Sequence, residues 1–160
     1  MKTIIAILYA HLVKRQNKTW IDNPIKWQTN TFKKLIKNGI KTEFGKNHDF
    51  ENIKSYEQYK EKVPVRDYEE LRPYIEKVVN GEKDILWPGK PLYFAKTSGT
   101  TSGAKYIPIT KESIKTHIRS ARDALLNYFL KTKNFKPLNG KHMFCLLYTS
   151  DAADDRYRGG

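Results

Sequence analysis

The chain has 160 residues, of which 39% are hydrophobic and 12% aromatic, and its formal net charge is +13. This apolar and aromatic content excludes an intrinsically disordered tail and favours a globular protein. The basic surplus favours anionic partners. However, the lysines are spread along the whole chain without a tract of five basic residues or a nucleic-acid-binding signature. A solvated lysine-rich surface therefore explains the charge better than a nucleic-acid interface.

The cysteine and histidine content limits the classes of site. The single cysteine, Cys145, lies in an apolar run and has no partner for an internal disulfide. A buried, inert thiol in a reducing compartment fits this pattern, so we expect a cytoplasmic protein. The four histidines are widely separated, and no metal site is predicted.

Two helices are predicted at the N-terminus. Residues 3–13 are apolar, but they lack the small-residue cleavage site of a secretory signal and are too short to cross a bilayer. They predict an amphipathic helix that packs on the core, and no membrane contact is expected. A second helix is predicted from Pro24, after the capping candidate Asn23, to Gly39. Its apolar positions recur at helical spacing.

The middle of the chain predicts a packed loop followed by short helices. Residues 42–50 are irregular and aromatic, and we expect a surface loop anchored by Phe44 and Phe50. Residues 55–62 predict a helix with Ser55 as its cap and Gln58 as the capping-box partner.

A second capped segment follows the Val63-Pro64 break. Asp67 is predicted to cap a helix over residues 68–71, with Glu70 as its partner. Beyond Pro73, a separate apolar face is predicted to end at Asn80-Gly81.

The second half of the chain predicts a strand, a loop and a strand, followed by a long helix. A turn-rich link at residues 87–91 leads into the apolar run 91–95, and a second strand-like run covers residues 106–109. Thr110 is the predicted cap of a helix that extends to about Leu130. Residues 134–140 predict a loop, and residues 141–148 predict a further buried strand.

The segment between the two predicted strands has the composition of an anion-binding loop. Residues 97–105 read TSGTTSGAK, with five hydroxyls in six residues, two glycines and the cationic Lys105. Glycines allow backbone N–H groups to approach a ligand closely, and hydroxyls with an ammonium complete a phosphate cradle. The ligand indicated is a polyphosphate.

A Walker-type loop and a plain turn are the alternatives to this type of phosphate loop. Three residues separate Gly99 from Gly103, and Ala104 precedes Lys105, so the spacing differs from that of a Walker-type loop. A plain Ser/Thr/Gly turn is the alternative for a short motif of this kind. The flanking strands and Lys105 favour phosphate binding.

The loop resembles the phosphate-binding signature of the adenylate-forming superfamily. Three further segments, at residues 63–75 (VPVRDYEELRPYI), 80–86 (NGEKDIL) and 105–110 (KYIPIT), narrow the likeness. Together they resemble the plant auxin-responsive acyl-acid amido synthetase family and its bacterial relatives. The likeness runs from about Thr31 to Phe144 and covers only the N-terminal part of such an enzyme.

The resemblance implies a fold and an activity. It implies an α/β fold in which N-terminal helices flank the first strands of an adenylate-forming-enzyme sheet, present here as an incomplete domain. The full enzyme would use ATP with Mg²⁺ to adenylate a carboxylic acid, and would then pass the acyl group to an amine or amino acid. As a fragment without the adenine and ribose segments, the chain alone is expected to be inactive. A non-catalytic basic module that binds RNA or another polyanion remains the alternative, although no nucleic-acid partner is expected.

The resemblance also implies site residues. The ATP phosphates would be bound by Thr97, Ser98, Gly99, Thr100, Thr101, Ser102, Gly103 and Lys105. Thr97 stands where many relatives have serine, a change that keeps the hydroxyl. Arg122 falls where an arginine of the family faces the substrate carboxylate, although a solvated helix charge is the default interpretation. The resemblance assigns no catalytic residue in this chain.

The last twelve residues are compositionally separate from the others. Residues 149–160 contain arginine but no lysine, whereas the preceding chain is rich in lysine. Residues 147–155 (LYTSDAADD) also resemble translated sequencing-adapter sequence. We therefore predict a ligase-domain fragment over residues 1–148 and a non-native tail over residues 149–160.

Overall fold

The computed structural model describes residues 2–97, 104–140 and 149–151, which are mostly helical with a small sheet. The helices are α1 (Lys2–Ile21), α2 (Pro24–Gly39), α3 (Glu43–Asn47), α4 (Tyr56–Lys62), α5 (Tyr68–Val79) and α6 (Lys111–Thr132). The strands are β1 (Tyr93–Thr97), β2 (Lys105–Ile109) and β3 (Thr149–Asp151), and 3-10 turns cover Phe50–Asn52 and Lys136–Asn139. None of the described helices is both long enough and apolar enough to cross a membrane. The mixed α/β character is confirmed.

The described residues form two compact units. The first contains α1, the beginning of α2 as far as Gln28, and α6 with the turn that follows it. The second contains the rest of α2, helices α3 to α5 and the three strands.

The first unit has a small core between α1 and α6. Ala10 and Val13 of α1 pack with Leu126 and Phe129 of α6, and Phe129 is fully buried. The predicted N-terminal helix is confirmed, although it continues to Ile21. The predicted packing of this helix on the core holds for one side, which carries the small residues Ala10 and Val13. The larger side chains of Ile5, Leu8 and Leu12 are exposed.

The prediction of a loop at residues 42–50 is wrong for its first half, which forms helix α3. Thr42 is almost fully buried, and its hydroxyl donates to the Gly39 carbonyl (2.7 Å) and accepts from the Gly45 amide (3.0 Å). The first amides of the helix, those of Glu43 and Phe44, donate to the backbone carbonyls of residues 84 and 85. These bonds give partners to the first backbone amides of the helix and stabilise it, although it is too short to be stable alone. The predicted aromatic anchoring is confirmed, since the rings of Phe44 and Phe50 lie 5.9 Å apart.

The predicted cap of α4 is confirmed, but its capping box is incomplete. The Ser55 hydroxyl accepts from the Gln58 amide (3.3 Å). The Gln58 side chain accepts from the amide of Lys54 (2.7 Å), one residue before the cap, rather than from that of Ser55.

Helix α5 has the complete predicted box. The Asp67 carboxylate accepts from the Glu70 amide and the Glu70 carboxylate accepts from the Asp67 amide, both at 2.9 Å. The predicted interruption at Pro73 is wrong, because one helix runs from Tyr68 to Val79. Pro73 lies in the second turn, where its missing amide costs only one hydrogen bond near the helix start. The burial of Ile75 and Val78 then favours continuation of the helix.

The predicted strand pair is confirmed as an antiparallel β1–β2 hairpin, with the register running from Tyr93 opposite Ile109 to Thr97 opposite Lys105. Strand β3 pairs antiparallel with the other side of β1 and lies in the segment predicted to be a non-native tail. The predicted strand at 141–148 lies outside the described residues. The predicted turn at residues 87–91 is confirmed by the positive φ of Gly89 (79°).

Helix α5 is also tied to α3 by an ion pair that predicts a pH dependence. Lys77 Nζ lies 2.7 Å from Glu43 Oε1, and this hydrogen bond raises the pKa of Lys77 above its ordinary value of 10.5. Because the pKa is higher in the folded than in the unfolded chain, the pair's stabilisation is complete below the unfolded pKa and is lost as pH rises through the folded one. An NMR titration should show the pKa of Lys77 falling in Glu43→Gln. It should not fall in the control Glu51→Gln, and an equal value in all three proteins would contradict the pairing.

Candidate functional site

The hairpin brings the two flanks of the predicted phosphate loop together. Thr97 and Lys105 are Cα partners in the last pair of the β1–β2 ladder, so both lie where the strands meet the loop. The loop residues themselves, 98–103, are outside the described residues, and their predicted roles stay predictions. Both described flanks are half-buried.

Lys105 is held against the start of helix α5. Its ammonium lies 5.2 Å from the centroid of the Tyr68 ring, a distance at which a cation is attracted to an aromatic face. The hydroxyl of Tyr68 accepts a 2.7 Å hydrogen bond from the backbone amide of Tyr106, the next residue of β2. One tyrosine therefore contacts two successive residues of the strand that follows the loop.

The hairpin rests on a hydrophobic cluster that keeps these contacts in place. Phe94 of β1 is buried against Val78 of α5 and against Ile85, which lies between α5 and β1. The Tyr106 ring packs edge-on against Phe94 at 6.1 Å. Burial of this cluster fixes the hairpin against α5 through packing rather than through the loop itself.

An open cavity of about 360 Å³ lies beside the C-terminal flank of the loop. It runs along α5 from Tyr68 to Asn80 and is closed on the other side by Ala104 and Tyr106. Arg72 and Glu76 contribute charge to its wall, and Arg72 also pairs with Glu69 at 3.0 Å. A concave surface lined by apolar side chains with a few polar groups is the usual setting of a small-molecule site.

Arg122, the predicted substrate-binding residue, lies on α6 in the other unit. Its guanidinium donates to the carboxylate of Asp123 (2.7 Å) and to the hydroxyl of Tyr9 (3.0 Å), and the hydrogen bond to Asp123 raises the pKa of Arg122. Asn17 donates to the second Asp123 oxygen at 3.0 Å. These contacts tie α6 to α1. The substrate role of Arg122 stays a prediction.

No group of three or more His, Cys, Asp or Glu side chains able to hold a metal ion occurs in the part of the chain that the structure describes. His48 is buried by packing, because its ring stacks on Phe44 at 4.1 Å and its Nδ1 lies 2.7 Å from the Phe44 carbonyl oxygen.

Tyr68 was not among the predicted site residues. In sequence it is the first residue of a capped scaffold helix, 38 positions before its partner Tyr106. Local spacing carries no signal for a contact of that separation, so only the packed structure identifies it.

Comparison with known proteins agrees with the predicted resemblance. A family model described as the GH3 family N-terminal domain matches residues 14–157. A probable indole-3-acetic acid-amido synthetase, GH3.13 of Oryza sativa subsp. japonica, is 36% identical over 77 residues, which cover 46% of this chain and 16% of the relative. Jasmonoyl-L-amino acid synthetase GH3.5 of the same organism is 27% identical over 116 residues, which cover 71% of this chain and 19% of the relative. Indole-3-acetic acid-amido synthetase GH3.5 of Arabidopsis thaliana is 29% identical over 129 residues, which cover 78% of this chain and 20% of the relative.

The extent of these matches defines what the chain represents. The chain spans no more than 20% of the length of these three relatives. The family match, in contrast, covers most of the chain and includes α2 to α6 and the candidate loop. The chain therefore belongs to the GH3 family and matches its N-terminal domain.

Proposed function

We propose that this chain is the N-terminal, phosphate-binding part of an ATP-dependent acyl-acid amido synthetase. The observation that carries the proposal is the hairpin, which places Thr97 and Lys105 side by side at the two ends of a loop rich in glycine and hydroxyl groups. Two of the relatives are named as an indole-3-acetic acid-amido synthetase and a jasmonoyl-L-amino acid synthetase, names that describe an amide and an acyl-amino acid as products. A carboxylic acid and an amine or amino acid are therefore the proposed substrates, and the proposed compartment is the cytoplasm.

The described flanks of the loop fit a triphosphate. The Lys105 ammonium supplies a positive charge at one end of the loop, and the Thr97 hydroxyl supplies a donor at the other. By the chemistry of their donors, Ser98, Thr100, Thr101 and Ser102 would bind β- and γ-phosphate oxygens together with the backbone amides at Gly99 and Gly103. When bound, ATP with Mg²⁺ would supply the adenylyl group that activates the acid.

In the proposed reaction this part of the protein orients phosphates and neutralises charge. Adenylation releases pyrophosphate, and its developing negative charge is stabilised by fixed donors and cations. The adenine and ribose contacts and the amine-transfer step are assigned to the part of the relatives that this chain does not span. The proposed sheet of the adenylate-forming superfamily would likewise extend beyond the strands described here.

The net charge of +13 supports one rival, a basic module that binds RNA or another polyanion without catalysis. Such binding falls steeply with salt because each neutralised phosphate releases counterions. The rival predicts comparable affinity for RNA and for tripolyphosphate on a per-charge basis, with only a modest effect of removing one lysine. The ligase proposal predicts selective binding of the triphosphate.

The proposal is tested by continuing the sequence of the source locus past the codon for Cys145 and expressing the longest open frame. We expect the longer protein to exchange labelled pyrophosphate into ATP only when a carboxylic acid is present. The 160-residue chain alone should show no exchange above background. Acid-dependent exchange by the short chain, or none by a long product with any tested acid, would count against the proposal. The same sequencing tests whether residues 149–160 are native.

A further inference from the structure

We propose that Tyr68 is a positioning residue that sets where the Lys105 ammonium lies beside the phosphate loop. The inference rests on the proposed function, because it concerns the same loop. It assigns to helix α5, in which no site residue was predicted, the role of orienting the cation that neutralises phosphate charge.

Tyr68 is well placed to fix another group, because its own backbone is fixed. It is the first residue of α5, directly after Asp67, and the reciprocal bonds of Asp67 with Glu70 define the start of the helix. From this fixed point the side chain reaches strand β2, whose hydrophobic support against α5 is independent of the loop.

The hydroxyl and the ring of Tyr68 make separate contacts with strand β2. The hydroxyl accepts the backbone amide of Tyr106 on β2, which lies at the edge of the described sheet. An edge strand has backbone groups without a strand partner, and this bond satisfies one of them. The ring lies under the Lys105 ammonium at 5.2 Å. The hydroxyl therefore holds the strand, and the ring holds the cation.

A lysine beside a phosphate loop benefits from such a contact. Its ammonium ends a flexible four-carbon stem and is strongly hydrated, so without a contact it samples many positions. An aromatic face limits those positions while leaving the three N–H donors available. Lys96, one residue pair along the ladder, has a similar contact with the Tyr106 ring at 5.3 Å, so the two lysines share their charge and this type of contact.

The first test is a spectroscopic measurement on the free 160-residue chain. The ε-methylene protons of Lys105, assigned from their absence in Lys105→Ala, should be shifted upfield by the Tyr68 ring. The shift should persist in Tyr68→Phe, which keeps the ring, and should be lost in Tyr68→Leu. Equal Lys105 shifts in the wild type and in Tyr68→Leu would overturn the inference whether or not a ligand binds.

The second test is a double-mutant cycle with inorganic tripolyphosphate, measured by calorimetry on the same chain. We expect Tyr68→Leu to weaken binding by about 3- to 10-fold, and Tyr68→Phe to stay within about threefold of wild type. In a Lys105→Ala background, Tyr68→Leu should have no further effect, because its influence passes through the lysine. Tyr74 lies on the same helix as Tyr68, and its hydroxyl accepts a hydrogen bond from Asn47 of α3. Tyr74→Phe removes that hydroxyl, serves as the matched control, and should bind tripolyphosphate normally.

The outcomes separate this inference from the proposed function. Additive effects of the Tyr68 and Lys105 changes would overturn the positioning role while leaving phosphate binding intact. If the wild-type chain does not bind tripolyphosphate, the proposed function of the loop fails. The ring-current measurement then decides by itself whether Tyr68 positions Lys105.

Discussion

Lys105→Ala is expected to weaken binding of inorganic tripolyphosphate to the chain by about 10-fold or more. A hydrogen bond to a charged partner contributes about 1.5–3 kcal/mol, and each 1.4 kcal/mol is about a factor of ten in affinity. The effect is expected to be large because Lys105 is half-buried, belongs to the residue pair next to the loop, and holds its ammonium against an aromatic ring. Isothermal titration calorimetry at fixed ionic strength measures it.

Lys96→Ala is the matched control for Lys105→Ala. It removes the same charge from the same hairpin and the same kind of cation–aromatic contact, but it lies opposite Tyr106 rather than in the pair next to the loop. Only a small, salt-sensitive change is expected, because Lys96 is not a residue of the predicted phosphate loop and would act on the ligand only by general electrostatic attraction, which salt weakens. Equal losses in the two variants would show that overall charge, as in the polyanion-binding rival, explains the binding.

Phe129→Ala is expected to destabilise the chain by about 3–5 kcal/mol, the usual cost of removing a fully buried aromatic side chain. Phe129 has no exposed surface, and it packs with Ala10, Val13 and Leu126 and against the Phe135 ring at 5.5 Å. The core of this unit is small, so the cavity has few large neighbours that can close it. Urea unfolding followed by far-UV circular dichroism measures the change.

Ile118→Ala is the control on the same helix. Ile118 is 63% exposed, and a change at such a position should alter stability by no more than about 0.5 kcal/mol. If Phe129→Ala costs less than about 1 kcal/mol, the α1–α6 core does not contribute to folding as its burial indicates.

Local signals predicted those elements whose caps are encoded within a few residues. The start of α5 follows from Asp67 and Glu70, because both partners of the capping box lie within one turn. The segment at residues 42–50 was misassigned because α3 depends on carbonyls about 40 residues away in sequence. A break was predicted at Pro73 because proline disfavours the interior of a helix. The burial of Ile75 and Val78, which favours a continuous helix, is visible only in the structure.

Some features of the candidate site were likewise predicted from local sequence, and others are seen only in the structure. Residues 97–105 predict a phosphate loop from composition and spacing, since close backbone approach and hydroxyl donors are properties of the residues themselves. Two strands around the loop were predicted, whereas their antiparallel pairing, with Thr97 opposite Lys105, is seen only in the structure. The contact of Tyr68 with Lys105 was not predicted, because the two residues belong to different elements.

The amino-acid sequence by itself determined the cap of α5, the two strands that flank the loop and the family, because each depends on residues close together in the chain or on an ordered set of motifs. Tertiary structure decided that α3 is a helix, that α5 continues through Pro73, and that a tyrosine of α5 lies under the lysine of β2. These outcomes depend on burial and on hydrogen bonds between distant segments, whose free energy exists only after the chain has packed.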